Sequence, residues 1–245
     1  MKPLSLFHVK HLCFVVLLVA FNLVAQAQFS TVVLEQKPIS ISTKRIPDIT
    51  NWNEKQPGYD GLTKKQRELY YWTNYSRAYP RAFWDSVVEP ILSLFPNINN
   101  TAYSKSLKQD LYACRPLPPL RLNDTLLKTS QEHASDIGSN QGEFSHNSTD
   151  GTTFQDRFHQ AGLRNYGGEN ISLGNGNMIL ALVLLYLDHN LPDLGHRKAL
   201  LNDNYTDIGI GISRYGNTGS IFFVQDFASP QDKLYGSSTW NKMVK

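Results

Sequence analysis

From residue 63 onward the apolar positions recur three and four apart, and after residue 207 they recur at every second position. Thr63 and Gln66 open the first helical stretch with the spacing of a capping box, in which each side chain satisfies an orphan donor at the helix start. Leu69, Tyr70, Trp72 and Thr73 follow at helical spacing. Pro80 ends this stretch and begins a second helix to about Leu94, with Phe83, Val87, Val88, Ile91 and Leu94 inward. Ser106 to Tyr112 reads as a short helix or turn, and Pro116, Pro118 and Pro119 then force an extended passage. Asn123 is placed to cap a helix running to about Asn140, whose narrow inner stripe is Leu126, Leu127, Ser130, Ala134 and Ile137. Thr152 to Gly162 is a short helix closed by its glycine. Asn177 caps an intensely apolar helix, Met178 to Asp188; Pro192 breaks the pattern, and His196 to Leu201 adds a turn or two. Ile208, Ile210 and Ile212 then alternate with Gly209, Gly211 and Ser213. That is strand spacing, and the glycines imply close approach of a neighbouring side chain or backbone. Ile221 to Phe227 is a second strand, paired with the first as an antiparallel hairpin through a turn at Tyr215 to Gly219. Helices first and strands last predict an α+β domain with helices against a sheet.

The N-terminus bears on where this domain works. Lys2, His8, Lys10 and His11 make a basic start, Leu12 to Ala25 is almost wholly apolar, and Ala25-Gln26-Ala27 offers small residues on either side of Gln26. This is the pattern of a secretory signal peptide cleaved after Ala27, and the expected location is secreted or periplasmic. The apolar run is too short to span a bilayer comfortably, and so is Met178 to Leu187, so no transmembrane segment is expected in the mature chain. Of the two cysteines, Cys13 leaves with the signal. Cys114 then has no intramolecular partner, so the fold relies on its core rather than on disulfides. Cys114 itself reads as a small buried apolar residue or an exposed thiol. The formal charge of +3 includes Lys2 and Lys10, so the mature chain is nearly neutral. Neither nucleic acid nor an anionic membrane is implied as a partner.

Candidate chemistry lies in three segments. Phe144-Ser145-His146 leads into a polar loop, Gly195-His196-Arg197 follows a helix break, and Gly167-Gly168-Glu169-Asn170-Ile171 lies between them with its glycines before an acid. Two histidines and a carboxylate form a sensible divalent-metal set with room for water, although their spacing matches no compact metal motif. The other reading is loop residues bonded to backbone. Of the remaining candidates, Arg197 pairs with a carboxylate or binds an anion, and Asn170 orders Glu169 or satisfies loop backbone. His133 and His159 read as solvated surface residues, and Asp226 as a structural turn or cap. The aromatic set from Tyr70 to Trp84 reads as core. Six Asn-x-Ser/Thr sequons occur, at Asn74, Asn99, Asn123, Asn147, Asn170 and Asn204, and are attributed to asparagine in caps and turns.

The order Phe144-Ser145-His146, Gly168-Glu169-Asn170-Ile171, Gly195-His196-Arg197, Ile208-Gly209-Ile210-Gly211 resembles the CAP superfamily of cysteine-rich secretory, antigen 5 and pathogenesis-related proteins. It is most similar to the bacterial branch that lacks disulfides. Asn74-Tyr75-Ser76-Arg77, Leu117-Pro118-Pro119-Leu120 and Val224-Gln225-Asp226-Phe227 add to the resemblance. It implies an α-β-α sandwich with a small antiparallel sheet between helical layers, and a cleft lined by two histidines and two acids. His146 and His196 match the histidines and Glu169 the first acid. Asp188 is the best match to the second, with His189 the alternative one residue on. Asn170 and Arg197 would stand behind them. The organisation expected is a signal peptide over 1–27, an extended arm over 28–59, the CAP domain over 60–230 and a C-terminal tail over 231–245.

The resemblance implies a divalent metal such as zinc in the cleft, or a small molecule, lipid or cell-envelope component, or a protein partner. No catalytic activity is shared across the family, and no nucleophile motif occurs, which favours binding over catalysis. The enzymatic alternative is a metal-assisted hydrolase with Glu169 as general base. The other alternative is a protein-interaction module without a ligand.

Overall fold

The computed structural model describes residues 32, 34–35, 37–41, 44–139, 144–164 and 166–230. The signal peptide with its cleavage site and Cys13, and the C-terminal tail over 231–245, lie outside the described residues.

The elements run α1 (Pro47–Glu54), α2 (Lys64–Ala78), α3 (Pro80–Phe83), a π-helical stretch (Trp84–Val88), α4 (Glu89–Ser93) and α5 (Ala102–Ala113). Then come β1 (Arg121–Leu122), α6 (Asp124–Ser139), α7 (Phe154–Gln160), β2 (Gly167–Gly174), α8 (Met178–Leu187), α9 (Gly195–Leu200), β3 (Asp207–Arg214) and β4 (Ile221–Ala228). The stretch expected to be an extended arm over 28–59 is corrected by α1, which begins at Pro47, a residue preset for the first helical turn. Trp52 on α1 donates its indole N–H to the Leu120 carbonyl at 3.1 Å. Ahead of α1, Ile39 and Ile41 pack on the core.

The Thr63–Gln66 capping box forms as expected: Thr63 Oγ1 accepts from the Gln66 amide, and Gln66 Oε1 accepts from the Thr63 amide at 2.9 Å. Thr63→Ala removes one side of this exchange. Urea denaturation is expected to show a loss of about 1 kcal/mol. Asn123 caps α6 through bonds from the Thr125 and Leu126 amides, and Asn177 caps α8.

The sheet has strand order β1-β3-β4-β2. The predicted hairpin is the antiparallel β3–β4 pair, and β2 adds antiparallel to β4 over its whole length. The sheet is mixed rather than purely antiparallel, because two-residue β1 joins β3 in parallel. β2 is the larger correction. Its glycines sit where side chains have no room: a Cβ on Gly167 would lie 2.5 Å from the Phe158 ring, and one on Gly168 2.4 Å from the Tyr205 hydroxyl.

Register assigns the two faces. Glu169, Asp226 and Gly209 are aligned across β2, β4 and β3, as are Ile171, Val224 and Gly211. Successive side chains alternate, so these rows share a face. It is the face that α6 covers: a Cβ on Gly209 or Gly211 would come within 2.1 Å of α6 backbone at Leu126 and Ser130. The opposite face, with Ile208, Ile210, Phe223 and Phe227, enters one core with α2 and α8. The aromatic residues Tyr70, Tyr71, Trp72, Tyr75, Phe83 and Trp84 are buried in that core, as expected. The result is an α-β-α sandwich.

Arg77, in the helix that carries Asn74, is fully buried and donates to the carbonyls of Leu200, Asn202 and Tyr205. Asn74 bonds both polar groups of Leu120. These two side chains clamp the connections at one end of the sandwich, which explains their spacing of one helical turn. Buried as they are, Asn74 and Asn170 are poor glycan acceptors.

Candidate functional site

The site is built on both sides of β2. On the α6 face, β2 projects Glu169, which is 1% exposed at its side chain. The loop after α6 brings His146 to it, with His146 Nδ1 2.8 Å from Glu169 Oε1. Arg157 of α7 donates Nη2–H to Glu169 Oε2 at 2.7 Å. Its Nη1 reaches back to the carbonyls of His146 and Thr152 and to the Ser148 hydroxyl, so one guanidinium fastens the loop to the strand.

His133 stands in this cluster, not in solvent as expected. It is 1% exposed, its Nε2 donates to the Ser145 carbonyl at 3.1 Å, and that nitrogen lies 3.9 Å from Glu169 Oε1. Burial holds its pKa below the ordinary imidazole value despite the pull of Glu169. Burial would raise the Glu169 pKa, but the His146 hydrogen bond and the charges of His133 and Arg157 outweigh it, so the carboxyl is held below its usual range.

Asp226 is likewise a buried member of the cluster rather than a turn or cap. It is opposite Glu169 in register, and its Oδ2 lies 2.6 Å from Thr129 Oγ1. Burial, with the Glu169 charge beside it, pushes the Asp226 carboxyl well above the usual range.

The second pair forms where α8 ends. Asp188 takes the left-handed conformation, φ 49°, which aspartate tolerates better than most residues. The chain then turns back through Asn190 and Leu194, also at positive φ, into α9. Asp188 Oδ1 lies 2.5 Å from His196 Nδ1, and Oδ2 accepts the Arg197 amide at 2.9 Å. Asp188 is therefore the acid of this pair. His189 is elsewhere, its ring edge-on to Tyr103.

Arg197 is buried against Asp110 at 2.9 Å and donates to the Tyr186 and Leu187 carbonyls. As expected it pairs with a carboxylate, and it also caps α8. Asn170, on the opposite face of β2 from Glu169, donates to the His196 carbonyl at 3.5 Å and ties α9 to β2. His159 is exposed, and Cys114 is a half-buried free thiol.

The two imidazoles thus have one design: Nδ1 rests on a carboxylate that is itself buried, while the ring stays partly exposed, 33% for His146 and 14% for His196. Among the described residues no three His, Cys, Asp or Glu side chains are grouped to hold a metal ion. Both acids are already engaged, Glu169 by His146 and Arg157, Asp188 by His196 and the Arg197 amide. They do not fit as direct ligands in this arrangement. Carboxylates behind imidazoles do fit the outer partners that orient a ligating histidine.

Residues 73–227 match the model of the cysteine-rich secretory protein family, CAP. The chain belongs to the CAP family. The similar solved structures are distant. An extracellular protein with an SCP domain from Bacillus anthracis is 22% identical, with 58% of this chain and 43% of that chain covered and a TM-score of 0.40. An outer surface protein from Borrelia burgdorferi is 27% identical, with 52% and 88% covered and a TM-score of 0.38. Venom allergen-like protein 4 of Schistosoma mansoni is 14% identical, with 74% and 99% covered and a TM-score of 0.42. The chain therefore spans less than half of the Bacillus protein. No curated protein matches it.

The CAP domain of this chain has no disulfide among its described residues, and its Cys114 is free. Arg157, His133, Thr129 and Asp226 were missed as cluster members. A signal for Asp226 was present, since Gln225-Asp226 interrupts an otherwise apolar strand, Ile221 to Phe227. Arg157 carries no such mark.

Proposed function

We propose that this CAP protein is exported, with its signal removed after Ala27, and acts outside the cytoplasm as a binding protein whose His146 and His196 rings engage the ligand. The observation that carries this reading is the repeated imidazole–carboxylate pair. A carboxylate that accepts Nδ1–H fixes the neutral ring in one tautomer, with Nε2 as its acceptor atom. Building that device twice, at the cost of burying two carboxylates, is unexplained by packing alone. A divalent ion such as zinc would be held by the imidazole rings, with Glu169 and Asp188 as their outer partners. A small polar molecule or cell-envelope fragment would bond the same rings. The domain over 60–230 carries the whole of this site.

Glu169 is a poor general base, being buried, ion-paired and held below the usual carboxyl range. This weighs against the hydrolase alternative.

The test is calorimetric titration of the exported protein with zinc, alongside a His146→Ala, His196→Ala double variant whose fold is checked by circular dichroism. The expected result is one-to-one binding in the parent, weakened at least about a hundredfold in the variant. Equal binding in both proteins would remove the imidazoles from the site. No zinc binding by the parent would turn the search to organic ligands of the same rings.

A further inference from the structure

An open hollow of about 570 Å³ lies between α6 and α7, where the exposed side chains of Asp124, Lys128, Glu132 and Gln160 surround the more buried Thr129 and Arg157. Asp124, Lys128, Thr129 and Glu132 line it from α6, and Arg157 and Gln160 from α7. The α6 residues fall on one stripe, three to four positions apart, as do the two from α7, so the two helices face each other with polar side chains across open space. This lies within the size range of small-molecule sites.

The chemistry of the wall narrows the ligand. With Arg157 engaged elsewhere, Lys128 alone stands against the carboxylates of Asp124 and Glu132, so the wall does not select an anion. The Arg157 charge is already matched by Glu169 at 2.7 Å. Lys128 and Glu132 are loosely paired at 3.9 Å, and each keeps hydrogen-bonding capacity for another group. Asp124 and Glu132 offer paired acceptor oxygens, Gln160 a donor and an acceptor, and Lys128 up to three donors. Adjacent donors and acceptors at short spacing match vicinal hydroxyl groups, each of which both gives and takes a hydrogen bond. The floor is fixed beforehand: Thr129 is held at Asp226 and Arg157 at Glu169. Prior fixation of this kind lowers the ordering cost of binding.

We propose that the α6–α7 cavity is a binding site for a neutral, polyhydroxylated ligand of one or two sugar rings, separate from the His146 and His196 rings. Because Thr129 bonds Asp226 and Arg157 bonds Glu169, a ligand there also touches the supports of those two acids.

The test is amide NMR of the exported protein titrated with maltose and with diacetylchitobiose, and with inorganic phosphate as a charged comparison. Saturable shifts are expected at Lys128, Glu132 and Gln160 with at least one sugar, extending to Glu169, and none with phosphate. Ala161→Trp places a large ring in the lining, and Gln160→Ala removes one amide. The first is expected to weaken sugar binding at least about tenfold and the second about threefold, in proteins whose spectra remain dispersed. The His146→Ala, His196→Ala protein should bind sugar unchanged, which separates this site from the two imidazoles. The absence of saturable shifts with either sugar would overturn the proposal. So would shifts elsewhere on the surface, equal shifts with phosphate, or shifts that survive both cavity variants.

Discussion

Gly211→Ala will destabilise the domain by about 3 kcal/mol or more, and urea unfolding will show the transition moved to much lower denaturant or lost. The added methyl carbon would stand 2.0 Å from the Ser130 carbonyl oxygen and 2.2 Å from its carbonyl carbon. Those are backbone atoms within α6, so no side-chain rotation relieves the clash. Relief requires α6 to lift off β3, and the same helix holds Leu126, Ala134 and Ile137 against the sheet face. Gly209→Ala meets the same helix at Leu126 and should behave alike. Gly61→Ala is the control: a Cβ there meets nothing within 4 Å, and its unfolding should match the parent within about 0.5 kcal/mol. A Gly211→Ala protein as stable as that control would show that α6 does not pack on β3 this closely.

The alternation of isoleucine and glycine in β3 thus reads directly as one face in a core and one face under a helix backbone. Elements with strong local signals were legible in the same way. The Thr63 and Asn177 caps, the ten-residue apolar helix at Met178 and the two-residue period of β3 each depend on neighbours in sequence. β2 was not legible, because Gly167 and Gly168 weaken strand propensity and are tolerated only because Phe158 and Tyr205 fill their space. α1 was hidden because Pro38, Pro47 and Pro57 in this stretch read as extended chain, when Pro47 in fact starts a helix.

The site divides along the same line. His146, Glu169, His196 and Asp188 could be named from local settings and family resemblance. Their pairing, His146 with Glu169 and Asp188 with His196, depends on sheet register and on the left-handed turn at Asp188. His133 illustrates the limit. Its place on α6 looked solvent-facing, yet that face is sealed by the 144–148 loop, which Arg157 fastens down. No window of sequence around residue 133 contains that information.

Asp226→Asn is expected to fold, and to grow more stable relative to the parent as pH rises. Asp226 is completely buried, faces the Glu169 carboxylate, and has Arg157, His133 and His146 gathered on the Glu169 side. Burial and the Glu169 charge beside it both disfavour the ionised form of Asp226, whose pKa is pushed well above the usual range. The hydrogen bonds agree with this. Thr129 Oγ1 lies 2.6 Å from Asp226 Oδ2 and 3.2 Å from the Leu126 carbonyl, and a hydroxyl has a single proton to give. If Asp226 donates to Thr129, Thr129 is released to donate to Leu126, and both contacts are satisfied. The sign follows from the raised pKa. An acid whose folded pKa exceeds its unfolded value stabilises the fold fully below the unfolded value, near 3.9, and loses that contribution as pH climbs toward the folded one. Within that window the parent loses about 1.4 kcal/mol per pH unit through this residue, and the asparagine variant does not. Glu169 works in the opposite direction, its depressed pKa giving stability that is lost as pH falls, but it is present in both proteins and largely cancels in their difference. Urea unfolding from pH 4 to pH 8 should therefore show a stability difference between variant and parent that widens with pH in favour of the variant. A constant difference, or one that widens against the variant, would mean that Asp226 is ionised in the folded protein and that the buried cluster holds two negative charges.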